Sequence, residues 1–303
     1  MLVTKLLKQI NFKRGRGIVF AAGGSADIIL AKNIAAGLIG QGCIRVDLAQ
    51  PLNCTTLSEK GLLTQTGKFY KLMPERGLNP EGVLRHQSSI PSQMHPDTTR
   101  GKGLSISSSL EWDHGDRFVC AAHGEGLSLL AGRREDRCFF YDFAFGVDGG
   151  GDVLTHADDE FDRVVTNAFR SGWTSGRPLV LVAMGLGADG GSAPAEFEDA
   201  SLDGWQELSG TFVDERFARA LEEDLKRLGL WNPNPSTWYK EDPFWGYGLK
   251  VPQIIAMAVR NEFPFDSPRG DPDLVMLPRR GKLKPMNRRL LREARVFLSK
   301  GSL

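Results

Sequence analysis

Three glycine-rich turns carry the aspartates that could do chemistry in this 303-residue chain. Each turn follows an apolar run: Gly23-Gly24-Ser25-Ala26-Asp27, Asp148-Gly149-Gly150-Gly151-Asp152 and Gly185-Leu186-Gly187-Ala188-Asp189. Glycines permit a positive φ and a close approach of the backbone to a ligand, and the N–H groups at a following helix start form an anion site. Aspartates beside such turns bind Mg²⁺ or ribose hydroxyl groups, or act as general acid and base.

These turns predict a single ligand pocket. We expect catalytic roles for Asp148, Asp152 and Asp189, with Asp148 and Asp152 as ligands of a Mg²⁺ ion. The residues predicted to hold a nucleotide or similar cofactor are Gly23, Gly24, Ser25, Asp27, Asp47, Gly149, Gly150, Gly151, Gly185 and Gly187. The central turn is the most informative, because a turn that only reverses direction does not need so many glycines. Acids nearby (Asp142, Asp158, Asp159 and Asp162) strengthen the negative field and favour a bound cation or basic group.

Each turn also has a purely structural interpretation. Asp27 and Asp189 could cap the helices that follow them, and the central turn could be flexible with solvated acids. Asp47 lies about 20 residues beyond the first turn, at the end of the predicted second strand, where dinucleotide-binding folds place a ribose-binding acid. The first turn lacks the full GxGxxG pattern and has no lysine, so it is neither a dinucleotide fingerprint nor a P-loop.

Histidines and cysteines do not show the spacing of common metal motifs. The five histidines (His86, His95, His114, His123 and His156) form no HxxxH or HExxH pattern, and the four cysteines (Cys43, Cys54, Cys120 and Cys138) form no CxxC pair. His123, after a predicted strand, is a further candidate acid or base, with a polar loop residue as the alternative. Cysteines beside apolar residues predict small buried side chains in a reduced, cytoplasmic protein.

Apolar strands alternate with amphipathic helices around these turns. Strands are predicted at 17–22, 43–48, 117–122, 138–147, 178–184 and 274–277, and helices at 5–10, 28–39, 123–133, 159–172, 213–228, 252–259 and 279–300. Fully apolar strands are typical of central strands that are covered on both faces. The pattern predicts a Rossmann-like, doubly wound α/β fold with a mainly parallel sheet and helices on both faces.

The chain is predicted to form a single domain over residues 1–303. It includes a loop-rich insertion at 51–116 and a C-terminal cover with a basic helix at 231–303. With 38 Lys+Arg against 37 Asp+Glu, the net charge of +1 argues against nucleic acid as a partner. No apolar run reaches the ~18 residues of a membrane span, and no signal peptide is recognised. The expected partner is a small anionic molecule, and a homo-oligomer stays open.

The order of these motifs resembles the prokaryotic family catalogued as domain of unknown function 1152 (DUF1152). The resemblance rests on Gly23, Gly24 and Asp27 after the first strand, on the block at 147–154 with the acids at 158–160, and on the turn at 185–190. It spans roughly residues 17–228. The resemblance implies a Rossmann-like fold in which these turns occur together, and it implies no particular reaction.

Three functions are compatible with the pattern. The first is an enzyme that acts on a nucleotide or another phosphorylated or charged metabolite, by hydrolysis or group transfer, with the aspartates moving protons or holding Mg²⁺. The second is an NAD-binding enzyme with a degenerate glycine fingerprint, in which Gly23, Gly24 and Asp47 contact the cofactor. The third is a noncatalytic nucleotide-binding sensor or partner subunit.

Overall fold

The computed structural model describes residues 2–10, 15–23, 27–51, 69–72, 110–120, 141–155, 161–173, 176–188, 194–198, 200–208, 210–233, 251–263, 270–279 and 282–301. The helices are α1 (Leu2–Gln9), α2 (Asp27–Ile39), α3 (Phe161–Gly172), α4 (Glu215–Arg227), α5 (Val251–Arg260) and α6 (Arg288–Arg292). Short 3₁₀ turns lie at Asp152–Leu154 and Pro194–Phe197. The strands are β1 (Arg16–Ala21), β2 (Arg45–Pro51), β3 (Phe69–Leu72), β4 (Arg117–Cys120), β5 (Phe143–Gly149), β6 (Leu179–Met184), β7 (Trp205–Glu207), β8 (Thr211–Phe212), β9 (Leu274–Arg279), β10 (Lys282–Asn287) and β11 (Glu293–Ser299).

One nine-stranded sheet organises the described residues, in the order β3-β4-β2-β1-β5-β6-β11-β7, with β8 beside β11. Strands β4, β2, β1, β5 and β6 are parallel. Strand β3 is antiparallel at one edge, and β11 runs antiparallel to β6, β7 and β8. The predicted Rossmann-like α/β fold with a mainly parallel sheet is confirmed.

The centre of the sheet contains a topological switch point. From β1 the chain passes to β2 on one side, and it later returns to β5 on the other side of β1. Open α/β sheets bind ligands outside the carboxyl ends of the strands at such a point. In such sheets the crevice between the carboxyl ends of the strands at the switch point, here β1 and β5, is the expected position of a ligand.

Hydrophobic cores lie on both faces of the sheet. Val19 and Ala21 of β1 face a core that includes α2, α4 and α5. Ile18 and Phe20 face the opposite core, where the ring of Phe20 stacks on that of Phe169 in α3 with 4.0 Å between centroids. Burial on both faces explains why β1 lacks the polar alternation of a half-exposed strand.

Helix α2, which leads into the candidate site, is fixed by a buried polar contact. Asp224 of α4 is 2% exposed and accepts hydrogen bonds from Lys32 Nζ (2.6 Å) and Asn33 Nδ2 (2.9 Å). Asp214 caps α4 by accepting the N–H of Phe217, so this helix begins at Glu215 and not at the predicted residue 213.

The predicted basic helix at 279–300 is wrong. This segment forms β10, the short α6 and the buried strand β11, so its last part supplies a strand inside the sheet and not a cover. In β11, Val296 packs into one core and Phe297 into the other. Arg295 binds Glu207 and two backbone carbonyls, so its charge is satisfied within the fold. The basic residues obscured the period-two alternation that identifies a strand.

Other boundaries differ less. Strand β2 begins at Arg45 instead of residue 43, and β5 begins at Phe143, with residues 138–140 outside the described ranges. The short strands β3, β7, β8 and β10 were not predicted. The helix predicted at 123–133 lies outside the described residues, and the insertion at 51–116 stays a prediction because only its ends and β3 are described. In the ranges given above, no helix has the length and apolar character that a membrane crossing requires.

Candidate functional site

Three aspartate side chains meet at the carboxyl edge of the sheet, at the switch point between β1 and β5. Asp27 is the first residue of α2, Asp148 lies near the end of β5, and Asp162 lies in the first turn of α3. Each offers a carboxylate oxygen, and these oxygens all lie within 4.8 Å of one another. Asp27 and Asp148 are buried and Asp162 is half-buried. We call these residues the acidic trio.

Two glycines allow the acidic trio to pack against the backbone. A Cβ atom on Gly23 would lie 2.4 Å from Asp27 Oδ2 and 2.6 Å from Asp162 Oδ2. On Gly149, it would lie 2.6 Å from Asp27 Oδ1. The N–H of Gly23 donates to Asp27 Oδ2 at 3.0 Å. A side chain at either position would therefore have to displace a carboxylate oxygen of the trio.

The second and third glycine turns are joined by the backbone. The N–H of Gly150 donates to the carbonyl of Met184 at 3.0 Å, and the N–H of Gly187 donates to the carbonyl of Gly150 at 2.6 Å. Gly150 has a φ of 106° and Gly187 a φ of 76°, which side-chain-bearing residues rarely adopt. These bonds hold the ends of β5 and β6 at one edge, as the sequence predicted for its glycine turns.

The environment of Asp148 disfavours its charged form. Burial raises the pKa of Asp148 well above its usual range, and the negative charges of Asp162, Asp27 and Asp152 raise it further. The positive ends of α2 and α3 oppose this repulsion, because Asp27 and Asp162 lie in the first turns of those helices. The trio thus concentrates negative charge at the dipole-favoured positions of two helices.

One oxygen of the acidic trio lacks a hydrogen-bond donor. Asp148 is 0% exposed, its Oδ2 lies 3.4 Å from the N–H of Val153, and its Oδ1 has no partner among the described residues. A buried acceptor without a donor is costly unless a proton or a cation reaches it. The trio can therefore share a proton between carboxylates or ligate a cation through oxygen.

Asp47 does not join this group. It is the third residue of β2 and does not lie at the end of this strand. Asp47 pairs with Ile18 of β1, and Ile18 pairs on its other side with Ala144 of β5. Asp148 lies four residues further along β5, so about 13 Å separates the two levels along the strands. The carboxylate of Asp47 is occupied by arginine side chains and a tyrosine hydroxyl.

The other predicted site residues fall into two sets. Asp152 is half-buried in the 3₁₀ turn after β5, and its charge acts on Asp148, but it is not a member of the trio. Gly151 and Gly185, with φ of 88° and 68°, lie at the same edge. Gly24, Ser25, Asp189 and His123 lie outside the described residues, so their roles stay predictions.

Asp162 is the member of the trio that the sequence analysis did not assign to the site. The sequence indicates only that Asp162 is an acid near the central turn, because its distance from Asp148 along the chain gives no indication of contact. The available signal was its place in the first turn of the helix that follows the central glycine turn. Such a helix starts at the same edge where β5 ends.

Comparisons with solved structures find methyltransferases. Phosphoethanolamine N-methyltransferase 2 from Haemonchus contortus, in complex with S-adenosyl-L-methionine, matches with a TM-score of 0.34 and 9% identity over 98% of this chain and 51% of that chain. The rRNA methyltransferase aviRa from Streptomyces viridochromogenes matches with a TM-score of 0.30 and 12% identity over 70% of this chain and 80% of that chain. This chain spans about half the length of the Haemonchus enzyme.

The strand order of the sheet by itself shows the Rossmann-like fold. No family model matches the chain, and no curated protein matches it either. The resemblance to DUF1152 therefore stays a prediction.

Proposed function

We propose that this protein is an enzyme that binds a nucleotide or another phosphorylated or charged metabolite between the ends of β1 and β5 and catalyses group transfer or hydrolysis. The observation that carries the proposal is the acidic trio at the switch point of the sheet. A Rossmann-like fold hosts many chemistries, so the function is argued from this site and not from the fold.

The site supports both parts of the reaction. The glycine turns after β5 and β6 place backbone without side chains at the edge where the trio lies, so a ligand can approach the main chain closely there. Carboxylates beside the bound anion exchange protons with it or with an attacking water molecule. The raised pKa of Asp148 supports such a role, and the half-buried Asp152 is the proposed partner on the open side. In a Mg²⁺-assisted reaction, carboxylates at the same edge of the sheet would hold the ion.

We place the protein in the DUF1152 family and in the cytoplasm, with a small anionic ligand. An NAD-binding enzyme is the alternative, but Asp47 is held by arginines away from the crevice, which counts against a ribose contact there. A noncatalytic nucleotide sensor would use the same crevice and differ only in lacking turnover.

A ligand panel tests the proposal. Thermal unfolding is followed with ATP, ADP, NAD, S-adenosylmethionine, a sugar phosphate and inorganic phosphate, because a bound ligand raises apparent stability by mass action. Compounds that raise the melting temperature are then incubated with the protein, and products are identified by mass spectrometry. The proposal predicts a shift with at least one phosphorylated compound, and it fails if none shifts the melting temperature at millimolar concentration.

A paired variant separates an enzyme from a sensor. Asp152→Asn is expected to reduce turnover at least about 100-fold, as for loss of an acid–base group, while the ligand still shifts the melting temperature. Asp203→Asn is the control. This exposed residue directly precedes β7 and lies at the amino end of the parallel strands, away from the trio. Binding without product in the wild-type protein would favour the sensor.

A further inference from the structure

The geometry points to a divalent-cation site formed by Asp27, Asp148 and Asp162, in which Asp148 Oδ1 is one of the ligand atoms. This set differs from the pair predicted from the sequence, because Asp152 is replaced by residues that begin two different helices. The cation site extends the proposed function, and it rests on that function only for its part in the reaction. Cation binding itself requires no other ligand.

The spacing of the oxygens suits an ion. Since no two of the three oxygens are more than 4.8 Å apart, a point between them lies within about 2.8 Å of each. Ca²⁺ binds oxygen at about 2.3–2.6 Å, so it fits after movements of a few tenths of an ångström. Mg²⁺ binds at about 2.0–2.1 Å and requires a larger contraction. We therefore expect Ca²⁺ and Mn²⁺ to bind at least as well as Mg²⁺.

The unsatisfied oxygen is independent evidence for a ligand. Asp148 is fully buried, and its Oδ1 has no donor within the described part of the chain, although the residue lies in a well-packed strand end. Carboxylate oxygens are hard ligands, which select Mg²⁺, Ca²⁺ or Mn²⁺ over softer metals. A cation in the trio would satisfy this oxygen and remove the mutual repulsion of the acids.

The backbone around the trio is shaped for close approach and not for a side chain. Gly23 and Gly149 leave the carboxylates in contact with main-chain atoms, and a Cβ at either position would meet a carboxylate oxygen at 2.6 Å or less. The half-buried Asp162 is the ligand on the side that an ion can reach from solvent.

The experiment uses the full chain after treatment with a chelator and dialysis. Binding of Ca²⁺, Mn²⁺ and Mg²⁺ is measured by isothermal titration calorimetry, and the melting temperature is recorded at matched ionic strength with NaCl as the reference. We expect one ion per chain and a melting temperature that rises with the logarithm of cation concentration. No heat and no shift with any of the three ions at 10 mM would overturn the proposal.

Variants assign the site. Asp148→Asn and Asp162→Asn should each weaken cation binding at least about 10-fold, as for loss of one ligand, while Asp203→Asn should keep wild-type affinity. Asp162→Asn serves if the buried variant does not fold, because Asp162 is half-buried at a helix start. Wild-type affinity in a folded Asp162→Asn variant would overturn the assignment.

The two proposals fail separately. The cation titration contains only the metal, so its failure leaves the ligand panel unaffected. A protein that binds Mn²⁺ but none of the phosphorylated compounds keeps the cation site and loses the proposed function. A protein that binds those compounds without any cation keeps the function and loses the cation site.

Discussion

Replacing Asp47 separates a structural role from a ligand-binding role. Its carboxylate is 0% exposed and accepts hydrogen bonds from Arg16 Nη2 at 2.8 Å and Arg45 Nε at 2.9 Å. The Tyr141 hydroxyl donates at 2.9 Å and the N–H of Asp116 at 2.8 Å. We expect Asp47→Asn to destabilise the fold, because a neutral amide has a single acceptor oxygen, removes the counter-charge of Arg16 and leaves Arg45 with Asp116 alone.

The size of the effect follows from burial. Removing one partner of a buried ion pair costs about 3–5 kcal/mol. The side chains of Arg16 and Arg45 are 30% and 38% exposed, so water recovers part of this cost after the substitution. A loss of about 2–3 kcal/mol is therefore expected, which lowers the melting temperature by roughly 5–10 °C in a domain of this size.

The pH dependence gives the prediction a second readout. Burial by itself raises the pKa of Asp47, but the hydrogen bonds from Arg16 and Asp116, with the charge of Arg16, outweigh burial and hold this pKa below 3.8. Its stabilisation is therefore fully present above pH 3.8 and is lost as the pH falls through the lower, folded-state pKa. Urea unfolding from pH 7 down to about pH 2 should show a larger loss of stability in the wild-type protein than in Asp47→Asn.

Asp116→Asn is the matched control. It keeps the backbone N–H that Asp47 accepts and removes only the carboxylate that Arg45 contacts at 2.6 Å. That carboxylate is 24% exposed, so the expected loss is below about 1 kcal/mol. An unchanged urea midpoint for Asp47→Asn would refute the reasoning, and if ligand binding were lost at the same time, the ribose interpretation would regain support.

Three further variants test packing at defined places. Gly149→Ala puts a Cβ 2.6 Å from a carboxylate oxygen and should cost about 1–3 kcal/mol in urea unfolding, whereas Gly40→Ala, with its nearest contact at 3.4 Å, should change stability by less than about 1 kcal/mol. Equal losses of stability in the two variants would contradict the close approach of Asp27 to Gly149. Arg295→Met leaves two carbonyl oxygens without this donor and should lower the free energy of unfolding by about 2–4 kcal/mol. The exposed Arg289→Met should lower it by less than about 0.5 kcal/mol, and an equally small loss for Arg295→Met would contradict the burial of β11. Asp214→Ala should cost about 1 kcal/mol by calorimetry through loss of the α4 cap, and no change would argue against that cap.

Local sequence patterns determine the elements on which the fold depends. The run from Leu179 to Met184 is apolar at every position, and it forms a strand buried on both faces. Phe217, Leu221 and Leu225 recur at helical spacing, and they all face one core from α4. Such periodicities require no knowledge of distant contacts, so these elements are predictable from the chain alone.

Long-range neighbours are a different matter. Asp162 reaches Asp148 because α3 begins at the edge where β5 ends, and the sequence indicates the helix start but not the distance between the two carboxylates. From the sequence alone, Arg295 is expected on a charged surface helix. In the fold, β7 and the segment before it supply Glu207 and two carbonyl groups as its partners. The charge of a residue indicates its burial only when its partner is known, and the partner here lies 88 residues away.

The pKa values of two buried aspartates shift in opposite directions at the two ends of the sheet. At the amino end, Asp47 is surrounded by donors, and its pKa is lowered. At the carboxyl end, Asp148 is buried to the same extent among other acids, and its pKa is raised. Arginine side chains thus stabilise the buried carboxylate of Asp47, whose role is structural. At the switch point it instead provides glycine backbone, helix starts and an oxygen without a donor, which are the features that a proton or a cation from outside the chain would complete.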